Sequence, residues 1–187
     1  GGVKMARSLS SSDEGDSSGD EDEAEDEAAQ KEDQDASQGY QPLRWDPAIR
    51  TVVKQVHPDL DITVRAVQGL HVKLEESFRR LAHGAFESVS DPRGTVIKES
   101  NFEAAVRAVL PDEHELAKHA KSEGTRAVVK AGTNLAFSIS ITQDMLAEKL
   151  SQTSAKATEP AAVYLTALIE YLAAELLELS GNITKHS

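Results

Sequence analysis

Ala162-Val163-Tyr164-Leu165-Thr166-Ala167-Leu168-Ile169-Glu170-Tyr171-Leu172-Ala173-Ala174-Glu175-Leu176-Leu177-Glu178-Leu179-Ser180-Gly181-Asn182 is a run of 21 residues without proline in which leucine recurs at helical spacing. Leu165, Leu168, Leu172, Leu176, Leu179 and Ile183 recur at steps of three and four, which makes one stripe on a helix that begins near Pro160. Tyr164, Ala167, Tyr171 and Ala174 form a second stripe beside it. A helix apolar over so wide an arc must be largely enclosed, because burial of each large side chain contributes about 1.5–3 kcal/mol.

A suitable partner lies upstream. Val67, Leu70, Leu74, Phe78, Leu81, Ala85 and Val89 keep the same spacing over roughly seven turns. Before it, Trp45-Asp46-Pro47 reads as a helix start with Asp46 as N-cap and Pro47 at the first helical position. That short helix runs to about Val56 and stops before His57-Pro58-Asp59. Ser90-Asp91-Pro92-Arg93-Gly94 breaks the long helix. A third helix spans about Asn101–Leu110, with Phe102, Ala105, Val106 and Val109 on one side, and Pro111-Asp112 opens a fourth. Leu135, Phe137, Ile139 and Ile141 alternate, which taken alone suggests a strand.

Charge divides the chain unevenly. Of 187 residues, 32 are Asp or Glu and 20 are Lys or Arg, for a net charge of −12. Residues 1–40 hold 13 of those acids against 3 bases, and their only large apolar residues before Tyr40 are Val3, Met5 and Leu9. Such a segment cannot bury enough apolar surface to offset its ordering entropy, so residues 1–39 read as a disordered acidic tail. Its plain meaning is a solvated run; its sharper one is a competitor with DNA phosphates for basic loops, strengthened by phosphorylation at Ser17 and Ser18. The rest carries a net charge of −2, so nucleic-acid binding has to come from local patches rather than a global cationic field. There is no cysteine, hence no disulfide, thiol nucleophile or thiolate metal site. No apolar run approaches the roughly 18–20 residues that span a bilayer, and no signal-peptide core is visible. The six histidines form no His-x-x-x-His metal pair, and no phosphate-binding glycine loop or nucleophile motif is present. The expectation is a protein that is not an enzyme and needs no cofactor or metal.

Leu116-Ala117-Lys118-His119-Ala120-Lys121-Ser122-Glu123-Gly124-Thr125-Arg126-Ala127-Val128, inside the fourth helix, resembles the C-terminal helix of histone 2B. Lys54-Gln55-Val56-His57-Pro58-Asp59 resembles the end of that histone's first helix, and Leu110-Pro111 followed by Glu115–Ala120 its junction into the last one. The stretch from Ala162 to Asn182 resembles the long central helix of histone 2A. Together they resemble a histone doublet, the fused or shortened "mini" form found in large DNA viruses. The resemblance implies an all-α chain of two histone folds, the second truncated, paired in an intramolecular handshake. It implies a histone 2B-like fold over residues 40–131 and a partial histone 2A-like fold over 132–187. It also turns Phe137-Ser138-Ile139-Ser140 into the lead-in to a helix carried by Met145, Leu146 and Leu150. The third helix and docking segment of a complete histone 2A have no counterpart here.

The same resemblance implies function. Double-stranded DNA would be held by short paired loops, through Lys54, Arg65, Arg93 and Thr95 in the first half and Lys156 in the second. Thr142, Gln143, Asp144 and Glu148 replace the arginine-rich first helix of histone 2A, so fewer phosphate contacts are expected. Glu115, Glu123, Glu170, Glu175 and Glu178 would make an incomplete acidic patch for arginine-anchored chromatin proteins. Each residue taken singly is also what a solvated surface carries. Two functions follow. One is the 2B–2A unit of a nucleosome-like particle, partnered by histone 3–histone 4-like histones, either separate or also fused as a doublet. The other is an interaction module for a histone chaperone or partner histones that does not package DNA. The expected location is the nucleus and chromosome, or the viral factory and virion, with no membrane.

Overall fold

The computed structural model describes residues 40–89, 96–110 and 115–185, with side chains up to Gly181. Among them are six helices: α1 Asp46–Val56, α2 Val64–Glu87, α3 Glu99–Val109, α4 Glu115–Val129, α5 Ile139–Leu150 and α6 Glu159–Lys185. Two strands of two residues each, β1 Val96–Ile97 and β2 Lys156–Ala157, complete the described residues, so the fold is all-α in its substance. The acidic tail, Ser90–Thr95, Pro111-Asp112 and the Ile183 side chain lie outside them.

Local chemistry sets the helix starts. Thr63 Oγ1 accepts from the Ala66 N–H (3.2 Å) at the start of α2, and Ser138 Oγ accepts from Ile141 N–H (3.4 Å) at the start of α5. Thr158 Oγ1 does the same for Ala161 (3.2 Å) before α6. The start of α1 departs from the sequence expectation by one position. Trp45 occupies the N-cap and makes no side-chain cap bond, while Asp46 is the first helical residue. The reason is a competing donor: the Tyr40 hydroxyl donates to the buried Asp46 carboxylate. The alternating segment around 135–141 forms no strand; Ile139 already begins α5.

The core is assembled around α6. From Ala161 to Ile169 every residue is buried, Leu165 and Ile169 completely. Helices α1, α2, α3, α4 and α5 all lie against α6, with α4 contacting it most extensively. The seven-turn helix α2 is therefore one of several partners of α6, and it packs more closely on α3. The α4–α6 approach depends on Gly124, where an added Cβ would stand 2.7 Å from the Tyr164 ring. Trp45, fully buried, joins the two halves of the sequence: its ring lies 6.2 Å from Phe78 and 5.8 Å from Phe137 between centroids. Edge-on and tilted aromatic packing at these separations contributes beyond area burial.

Enclosure is not uniform along α6. Leu165, Leu168 and Leu172 are buried, but Leu176 is 40% exposed and Leu179 is 62% exposed. The leucine stripe is continuous in sequence and covered over only part of its length. Between the halves, Ala131, Gly132 and Asn134 take positive φ values of 50°, 71° and 75°. The connection is thus a tight left-handed turn, with Gly132 at a position that strains other residues. Tyr40–Ser187 makes one compact unit that contains both halves.

Candidate nucleic-acid and acidic interfaces

β1 and β2 pair in parallel, Val96 opposite Lys156 and Ile97 opposite Ala157. The Thr158 N–H donates to the Ile97 carbonyl (3.0 Å) and extends the bridge into the start of α6. Exposed Lys156 is therefore placed against the loop that leads from α2 into α3. Arg93 and Thr95 belong to that loop and lie outside the described residues.

The other candidates gather at the α1–α2 corner. Lys54, in the last turn of α1, makes an ion pair of 2.6 Å with Asp61, and Arg65 stands exposed in the first turn of α2. Arg50 braces the corner by donating to the Ile62 carbonyl at 3.0 Å. The Lys54 ammonium holds the Asp61 carboxyl below its ordinary value, first by hydrogen bonding and then by charge. This corner faces the far end of α6, since Asp61 and Ile62 share a cleft with Leu177 and Gly181. Lys156 precedes the near end of the same helix. At 1.5 Å rise per residue the two basic groups are roughly 30 Å apart along α6.

The carboxylates divide into three kinds. Glu123 on α4 and Glu175 and Glu178 on α6 surround Tyr171, whose hydroxyl is pushed well above its ordinary value by burial, by its hydrogen bond to Glu175 and by all three charges. Glu170 is turned inward. Its Oε2 accepts from the Ala136 N–H (2.6 Å) and the Phe137 N–H (2.9 Å), which fixes the lead-in to α5. Burial raises the Glu170 carboxyl above its ordinary value, against the lowering effect of those two bonds. Glu115 stands apart, near the Lys118 ammonium (3.7 Å) and His119 Nε2 (3.5 Å) in its own helix. The acidic surface that remains is thus Glu123, Glu175 and Glu178, with Glu123 paired with Arg126 and Glu175 bonded to Tyr171. Of these, Glu123 borders a cleft of about 350 Å³ between α1, α4 and α6 that includes Arg126, Lys130, Glu170 and Tyr171.

Sequence reading missed Tyr171 as the centre of this surface, and it missed Arg126, although the three-residue step from Glu123 is a legible helical ion-pair spacing. It also passed over Arg44, which reaches Glu148 across 104 residues.

Burial leaves a titration signature. The Tyr164 hydroxyl, 2% exposed as a residue, is pushed up to about 12 by burial, with Glu103 adding to the effect. A raised folded-state value means stability fully present below the ordinary value of 10.0 and lost as pH rises through about 12. Phenolate absorbance should therefore develop later in the folded protein than in urea, and melting temperature should fall across that interval. Coincident folded and unfolded titrations would contradict the packing of Tyr164.

Among the described residues no group of three His, Cys, Asp or Glu side chains is placed to hold a metal ion, and no helix is long and apolar enough to cross a membrane. No protein-family model matches the chain.

Proposed function

We propose that this chain is a histone doublet, the 2B–2A unit of a nucleosome-like particle that bends and compacts DNA. The observation that carries this reading is the parallel β1–β2 bridge, which joins a loop of the first half to a loop of the second. Paired short loops at the end of a crescent are where a histone handshake meets phosphates. The helix order agrees: short, long, short and a further helix, then short and long. Two basic groups separated by the length of α6 supply two phosphate contacts for one duplex.

The DNA-facing chemistry is thin. Lys54 is held by Asp61, and the folded part has no net positive charge. These features favour a second reading, a module that binds a chaperone or partner histones through the Glu123, Glu175 and Glu178 surface without packaging DNA.

Duplex binding over a salt series separates the two. The packaging reading expects weak affinity that falls steeply with salt, each phosphate contact adding about 0.9 to the logarithmic slope. A Lys54→Ala plus Lys156→Ala variant should lose about 2 units of that slope. Affinity unchanged between low and moderate salt, or no duplex binding at all, would leave only the interaction module standing.

A further inference from the structure

We infer that two copies of this chain pair at the far end of α6, each placing Leu179 in an apolar cleft of the other. The cleft, about 450 Å³, lies where the α1–α2 corner and the first turns of α2 meet the far end of α6. Leu60, Ile62, Leu70 and Leu177 line it, and each is only half-buried. From α2 come also Ala66 and Gly69, both exposed and both too small to fill the space beside them. An open apolar hollow of this kind is where another apolar group docks. Such pairing needs no DNA, so it goes beyond the function proposed above.

The end of α6 itself supplies the group that fits. Leu176 and Leu179 are exposed, and Leu176 also lines the cleft. At about 100° per residue, Leu179 stands about 60° from Leu176 around the helix, so it projects beside the cleft rather than into it. A projecting leucine next to an apolar hollow is a self-complementary patch: a two-fold axis between them seats each copy's leucine in the other's hollow. This end of α6 is held in place. An added Cβ at Gly181 would collide with the buried His57 ring, so the helix lies as close to the α1–α2 corner as glycine permits. Charges on the patch match under the same operation. Glu178, exposed, precedes Leu179, while exposed Lys73 stands on the rim of the cleft. Lys73 meets Glu76 of its own helix only at 3.9 Å, a long and open pair that a second carboxylate readily replaces. The two-fold contact would bring Glu178 of each copy toward Lys73 of the other, so acid meets base twice.

The test is sedimentation velocity on the full-length chain from about 10 µM to about 1 mM, because contacts smaller than about 1,200 Å² associate weakly. Salt at about 0.3 M screens the repulsion between two chains of net charge −12. A monomer–dimer equilibrium is expected. Leu179→Gln should weaken it by about tenfold or more, since each dimer loses two buried leucines. Gly69→Gln should do the same from the other side of the contact. An added Cβ at Gly69 meets nothing within 4 Å, so the new side chain enters the cleft without displacing a group of its own copy. Glutamine also favours a helix over glycine, so this variant should melt no lower than wild type. Val129→Gln replaces another exposed apolar side chain, at the end of α4, and should leave the dimer intact. A wild-type chain that stays monomeric over the whole range overturns the inference. So does a dimer that survives Leu179→Gln and Gly69→Gln, or one that Val129→Gln weakens equally. Association that continues past the dimer contradicts a closed two-fold contact. Loss of histone 3–histone 4 binding in Gly69→Gln, with self-association unchanged, gives the cleft to another occupant and overturns the inference as well.

Discussion

Cleaving the folded chain between Gly132 and Leu135 should make its melting temperature depend on protein concentration. The turn at Ala131–Asn134 is the covalent link between two halves that share one core, with α4 before it and α5 and α6 after it. While the link is intact, pairing occurs at an effective concentration near the millimolar range; at micromolar concentration the cut halves forgo a factor of about a thousand, or about 4 kcal/mol. A specific protease site placed in this turn allows the comparison on protein that has folded intact. The cut pair should melt lower than the uncut chain and recover as its concentration rises. A melting temperature that is undiminished at micromolar concentration would show that linkage does not sustain the pairing.

Leu165→Ala should be the most damaging of the single leucine truncations along α6, and Leu179→Ala the most benign. Leu165 has no exposed surface, and it sits in the run of α6 enclosed on all sides. Removing three buried carbons costs the transfer energy plus that of the cavity left behind, about 2–5 kcal/mol. For a chain of this size that lowers the melting temperature by roughly 2–4 °C per kcal/mol. Leu179 is 62% exposed, so its truncation should fall within about 0.5 kcal/mol of wild type. Equal losses at the two positions would mean that the outer part of α6 is covered as fully as the inner part.

That contrast also marks how far the sequence could be read. The three-and-four spacing of Leu165, Leu168, Leu172, Leu176 and Leu179 identifies a helix and its apolar face, and α6 has both. Periodicity reports the direction of a face but not how far neighbouring elements reach along it. The same limit applies to Asp46: as a residue before Pro47 it reads as a cap, yet Tyr40 takes its carboxylate. Glu170 stands beside the leucine stripe and reads as a member of an acidic surface. Its carboxylate is instead drawn to two backbone N–H groups more than 30 residues earlier. The Arg44–Glu148 pair joins positions too distant in sequence for any local spacing to reveal. Helix positions were legible because they follow from local periodicity. Which charges remain open to a partner depends on tertiary approach.

Packaging of DNA by this chain is tested by nuclease protection. The full-length chain is mixed with a histone 3–histone 4 unit and DNA, and the products of limited digestion are sized. Packaging predicts a discrete protected fragment that requires both protein components and shortens or disappears as salt is raised. A complex between the chain and the histone unit that protects no DNA would contradict packaging and leave this fold as an interaction module.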